Sequence, residues 1–166
     1  MTGPRPVFRL NPVRHLATIL SAIGALVMVG CVTLHAHPAK TDPQAMQVYK
    51  SPMCGCCKRC IDYVRNRDYT VTVSNVLGLS SVKRELGVPS GVESCHPAVV
   101  GGYFIEGHVP VEDLSRLLAE HPDVSGLAVP GMAIGPPGMD SPNAQLYSVL
   151  AAQKDGKLGV FAAHRP

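Results

Sequence analysis

Four cysteines, Cys54, Cys56, Cys57 and Cys60, fall within seven residues directly after the short apolar run 46–49. No other feature restricts the chain as sharply. Neighbours such as Cys56 and Cys57 bridge badly, because a disulfide wants its Cα atoms about 5.5 Å apart. With Cys95 the cluster makes five thiols once Cys31, in the N-terminal apolar segment, is set aside, and an odd number leaves one over in any intramolecular pairing. Residues 46–166 are also enough to bury a core without covalent staples. The cluster therefore reads as a reactive or metal-binding thiol site, and the fold has to present it.

The flanking pattern says where. Residues 46–51 suit a first strand that Pro52 ends, and 56–67 suit a helix with Cys57, Cys60, Ile61 and Val64 on one face. Residues 69–76 alternate β-branched side chains, which predicts a strand. A short helix follows from Ser80 or Ser81 to Gly87. Residues 97–107 read as two strands around Gly101-Gly102. Val111, Leu114, Leu117 and Leu118 then mark an amphipathic helix. The order strand, helix, strand, helix, strand, strand, helix predicts an α/β, thioredoxin-like fold, a mixed sheet with flanking helices. In that arrangement reactive cysteines sit where the first strand hands over to the first helix, as Cys54–Cys57 do. A proline before the third strand, often cis, faces them, and His96-Pro97 holds that place. Residues 126–140 are rich in Gly, Pro and Met and suit neither helix nor strand. Residues 145–164 read as a β-hairpin turning at Asp155-Gly156.

The N-terminus is a separate matter. Residues 1–15 carry Arg5, Arg9 and Arg14 and no acid, and residues 16–34 hold no charge, the pattern of an export signal. The run is long enough for a retained membrane anchor. Met28-Val29-Gly30-Cys31 resembles a bacterial lipobox, with Cys31 as the lipidation site. Export is the first expectation, lipidation the second and a retained helix the third. Residues 1–34 are thus the signal or anchor, 35–45 a linker and 46–166 the domain. From Cys31 onward twelve Lys and Arg face twelve Asp and Glu, so the +3 net charge belongs to the leader. No basic run with interleaved aromatics follows, which argues against nucleic acid. The membrane is met only through the N-terminal segment.

A cysteine at a helix N-terminus has its pKa lowered by free N–H groups and the helix dipole. The thiolate so favoured attacks disulfides and binds soft metals equally well, so the C-x-x-C spacing of Cys54 and Cys57 does not choose between them. The surroundings favour metal. Cys56 adds a third thiol, Cys60 shares the helix face, and Cys95-His96 arrives from the proline loop. Met132 and Met139 lie in a loop able to cover the site. Thiolates with thioether and imidazole suit Cu(I) best among common metals. A closed structural zinc site fits the clustering less well. Against this, Cys60 is expected to face the core, Met132 and Met139 pack as often as they ligate, and His96 can be an ordinary loop histidine. His108 is expected to order a turn. His35, His37, His121 and His164 are scattered.

The segments 49–57, 94–110 and 126–139 resemble a CopG-type family of bacterial periplasmic proteins found among copper-resistance determinants and long catalogued as a domain of unknown function. The likeness runs from about Gln47 to Phe161. It implies a thioredoxin-like fold, a periplasmic location, and copper held by Cys54, Cys56, Cys57 and Cys95, with a redox role that interconverts copper oxidation states. His96, Cys60, Met132 and Met139 are further candidate ligands, and periplasmic copper-handling proteins are the implied partners. Pro97 departs from the Thr usual in the family, and Cys60 stands where a large or aromatic residue is usual. The other function to weigh is thiol–disulfide exchange, with Cys54 as nucleophile and Cys57 as resolving thiol.

Overall fold

The computed structural model describes residues 42–165. The expectations placed on the leader, on Cys31 and on His35 and His37 lie outside the described residues. Among those described, no helix is long and apolar enough to cross a membrane.

Strand β1 (Ala45–Lys50) buries Met46 and Val48 and exposes or half-buries the residues between. The chain then enters helix α1 (Gly55–Arg65), whose N-cap is Cys54. Cys57, Cys60, Ile61 and Val64 form its buried face, as the three- and four-residue spacing requires. Strand β2 (Thr70–Asn75) returns parallel to β1, with Val48 beside Val73. Helix α2 (Leu79–Glu85) follows, capped by Gly78 rather than by either serine. A short 3-10 turn (Ser90–Val92) leads to β3 (Pro97–Val100) and β4 (Tyr103–Glu106), an antiparallel hairpin turning at Gly101-Gly102. Helix α3 (Val111–Glu120) crosses over to β5 (Val124–Ala128), which runs parallel to β4. Strands β6 (Tyr147–Gln153) and β7 (Leu158–His164) complete one seven-stranded mixed sheet in the order β2-β1-β3-β4-β5-β6-β7.

Alternation along the central strands assigns each face. Ile105, Leu127, Val149 and Ala151 join Ile61 and Val64 of α1 and Leu114 and Leu117 of α3 in the larger core. Their neighbours Phe104, Ala128, Leu150 and Ala152 point the other way, against Val88 and Val92 after α2. One expectation is corrected. Residues 124–128 form a strand although the sequence reads as the start of a Gly-Pro loop. β5 is buried on both faces and so shows a brief apolar run instead of alternation. No peptide bond is cis among the described residues, so the His96–Pro97 bond is trans.

Candidate metal centre

The site is built where β1 hands over to α1. Cys54 leaves the strand in an extended conformation, and its Sγ accepts a hydrogen bond from Cys57 N at 3.2 Å, capping the helix as a serine would. The first turn that follows holds Cys56 and Cys57. Cys56 Sγ lies 3.4 Å from Cys54 Sγ, and Cys54 and Cys57 are joined by a disulfide. Cys57 is fully buried, whereas Cys54 and Cys56 are partly open.

The fourth thiol comes from the β3–β4 hairpin. Its two-residue turn fixes a register in which Pro97 faces Glu106. One step further out His96 faces Gly107, whose N–H donates to His96 O at 2.8 Å, and the next step sets Cys95 opposite His108. Gly107 is essential to that path. Its φ is +78°, and a Cβ there would fall 2.6 Å from Ser94 Oγ and 2.7 Å from Val129 O. The sulfurs of Cys54, Cys56, Cys57 and Cys95 all lie within 4.8 Å of one another, and so do the ligand atoms of Cys95, His96 and His108. Cys95 belongs to both groups and joins them.

The tautomers follow from the partners. His108 Nδ1 is 2.7 Å from Pro137 O, and a carbonyl only accepts, so Nδ1 carries the proton. In the neutral ring Nε2 is then a bare acceptor, aimed at Cys95 Sγ 2.8 Å away. The Cys95 S–H donates to that lone pair, and a metal ion replacing the proton would meet a thiolate and an imidazole nitrogen side by side. His96 Nδ1 approaches the same sulfur at 3.2 Å, and the two rings meet edge to face at 5.1 Å. Burial pushes His96 down to about 3, helped by His108, Lys83 and Lys50, and burial lowers His108 as well. Both imidazoles are therefore neutral and able to ligate at neutral pH. Burial, with Cys56 next, pushes the Cys95 thiol up to about 12, so its proton leaves only when something of positive charge replaces it.

The Gly-Pro-Met loop closes the site from outside. Pro137 supplies the carbonyl that orients His108, and Gly138 lies flat on the first turns of α1, where a Cβ would come 2.6 Å from Cys60 N and 2.9 Å from Cys56 O. Arg59 Nε holds the same point through Gly138 O at 3.1 Å. Met139 is half-buried beside Gly138, and Met132 is 57 % exposed on the outer part of the loop.

Of the residues singled out in the sequence, the structure gathers Cys54, Cys56, Cys57, Cys95 and His96. Cys60 joins neither group. It is 3 % exposed on the core face of α1, and burial, with Cys95 and Cys56 as lesser causes, pushes its thiol up to about 12. His121 caps α3 in a left-handed conformation, and His164 pairs with Asp113 at 2.6 Å, both as structural groups. His108 is the correction in the other direction. It is a member of the site, and counting the hairpin register outward from Gly101-Gly102 would have found it.

This is an α/β protein whose thiols and neutral imidazoles converge on one point, a donor set for a soft metal ion. Two solved structures, "Copper resistance protein copG" in Forms 2 and 1, resemble it with TM-scores of 0.71 and 0.70, each 38% identical over 75% of this chain and all of theirs. The chain belongs to the CopG family of copper resistance proteins. A family model described as a protein of unknown function, DUF411, matches residues 92–139, which carry Cys95, His96, His108 and the covering loop. No curated protein matches the chain.

Proposed function

We propose that this protein is an exported, periplasmic copper-binding protein of a copper-resistance response, with a thioredoxin-like fold, that holds Cu(I) on Cys54, Cys56, Cys57 and Cys95. The observation that carries this reading is the convergence of the four sulfurs within 4.8 Å, with His96 and His108 presenting neutral rings to the fourth. With the Cys54–Cys57 pair reduced, four thiolates are free to bridge, and the site takes more than one Cu(I) ion. The sheet order β2-β1-β3-β4, with the cysteines at the β1–α1 junction and a proline opening β3, supports the thioredoxin-like assignment. Periplasmic copper-handling proteins deliver and receive the metal.

The Cys54–Cys57 disulfide supports a redox turnover at the same place. Two Cu(II) ions each gain one electron from the Cys54 and Cys57 thiolates. The S–S bond closes, and two Cu(I) ions result. Reopening the pair needs two electrons from an external thiol reductant. The same disulfide, with Cys54 partly open and Cys57 fully buried, supports a second reading as a thiol–disulfide exchanger with Cys54 as nucleophile. Cys56→Ser separates the two. On the copper reading the variant loses most of its Cu(I) and still reduces a model disulfide. A variant that keeps wild-type copper content contradicts it, and wild-type protein that reduces the disulfide but holds no copper favours the exchange reading.

A further inference from the structure

Lys83 and Glu106 are buried charges that the thiol cluster itself does not call for. Lys83 is 5 % exposed on α2, and Glu106, at the end of β4, is wholly buried. Lys83 Nζ lies 2.8 Å from Glu106 Oε1. That same oxygen accepts the N–H of Ser94, and Lys83 Nζ donates to the Ser94 carbonyl. Both backbone polar groups of one residue are thus held by a single ion pair. Ser94 immediately precedes Cys95, and Glu106 stands two residues before His108. The hydroxyl of Ser94 extends the grip to Gly131 O, at the root of the covering loop, whose N–H in turn donates to Glu93 O at 3.0 Å.

As a stability device this arrangement is poor. A buried ion pair recovers little beyond its desolvation cost, and well-packed apolar side chains of the same volume usually serve as well or better. Here the cost is larger still, because Glu106 Oε2 is buried without a partner. What apolar side chains could not do is hold the N–H and C=O of Ser94 at once and tie α2, the loop before β3 and the end of β4 together at the two ligand-bearing arms of the hairpin.

We propose that Lys83 and Glu106 are positioning residues for the thiol–imidazole centre, fixing Cys95 Sγ against His108 Nε2 and within reach of the Cys54–Cys57 thiols. The inference rests on the copper reading for its metal but not for its geometry, since the Cys95–His108 contact forms without an ion.

The test uses the full chain, reduced and metal-free, as wild type, as Lys83→Met, as Glu106→Gln, and as the double variant, with circular dichroism to confirm folding. The double variant leaves no buried lone charge and keeps an amide oxygen for Ser94 N, so it decides the matter where Lys83→Met alone does not fold. The ¹⁵N shifts of the His108 ring report its tautomer. Expected in wild type is one neutral form protonated at Nδ1. Expected in Lys83→Met and the double variant is a displaced His108 Nε2 shift, from loss of the Cys95 S–H donor with Nδ1 still protonated, a several-fold faster alkylation of Cys95, and, on Cu(I) titration, an affinity lower by about 10–100-fold with an altered copper–thiolate absorption, the usual effect of losing a group that orients a ligand. Glu106→Gln, which keeps the acceptor, is expected to fall between. Folded variants with wild-type His108 shifts and Cys95 reactivity overturn the inference. Wild-type protein that takes up no Cu(I) overturns the copper reading and leaves the shifts and the alkylation rates to decide this one.

Discussion

At the scale of single residues the centre keeps the Cys95 thiol and both imidazoles uncharged until a metal arrives. His96 shows the energetic consequence. Its folded pKa of about 3 lies below the ordinary value of 6.5, so between those values the unfolded chain binds a proton that the folded chain refuses. The stability this group contributes is complete above about pH 6.5 and drains away as the pH falls toward 3. Urea unfolding at pH 7 and pH 4.5 should therefore show a marked loss at the lower pH. His96→Gln should flatten that dependence; a variant with the wild-type slope would show that another group carries it. Cys60 is a packing residue by the same kind of reasoning. Cys60→Ala should lower stability by about 1 kcal/mol, the usual scale for emptying a small buried side chain, and leave Cu(I) stoichiometry unchanged. Loss of copper in that variant would make Cys60 a ligand after all.

Among the elements, the hairpin and the covering loop do the positioning. Helix α1 offers three thiols because Cys54 caps it, but a cap and one helical turn cannot bring in a fourth. The β3–β4 hairpin does, through a register set by Gly101-Gly102. The loop is pinned by the contact of Gly138 with α1. Gly138→Val would drive a branched side chain in left-handed backbone into Cys60 N and Cys56 O, neither of which can yield. Detachment of the loop is expected, with a loss of about 1–3 kcal/mol from overpacking and new proteolytic cleavage within 130–145. An undisturbed melting temperature and digestion pattern would show that the loop sits less tightly on the helix than this contact indicates.

For the molecule as a whole, most of the frame was legible in the sequence because its signals are local. The helical spacing of Cys57, Cys60, Ile61 and Val64, the alternation of residues 70–75 and the paired glycines of the hairpin each specify an element without reference to the rest. What escaped had to be fixed by distant partners. β5 is a strand because β4 and β6 flank it, while its own residues read as loop. Lys83 and Glu106 look like surface charges until α2 and β4 are brought together. His108 seemed a turn residue, although the register count already set it against Cys95. Cys54, Cys56 and Cys57 announced themselves by spacing, and what the fold adds is their convergence with Cys95 and two neutral imidazoles.

The central claim is that these side chains form one copper site. Its most direct test is titration of the anaerobically reduced full chain with Cu(I) against a competing chelator. More than one tightly held ion per chain, with ultraviolet absorption of copper–thiolate character, is the result the proposed function predicts. Weak or no retention of copper, in protein that still reduces a model disulfide through Cys54 and Cys57, would contradict it.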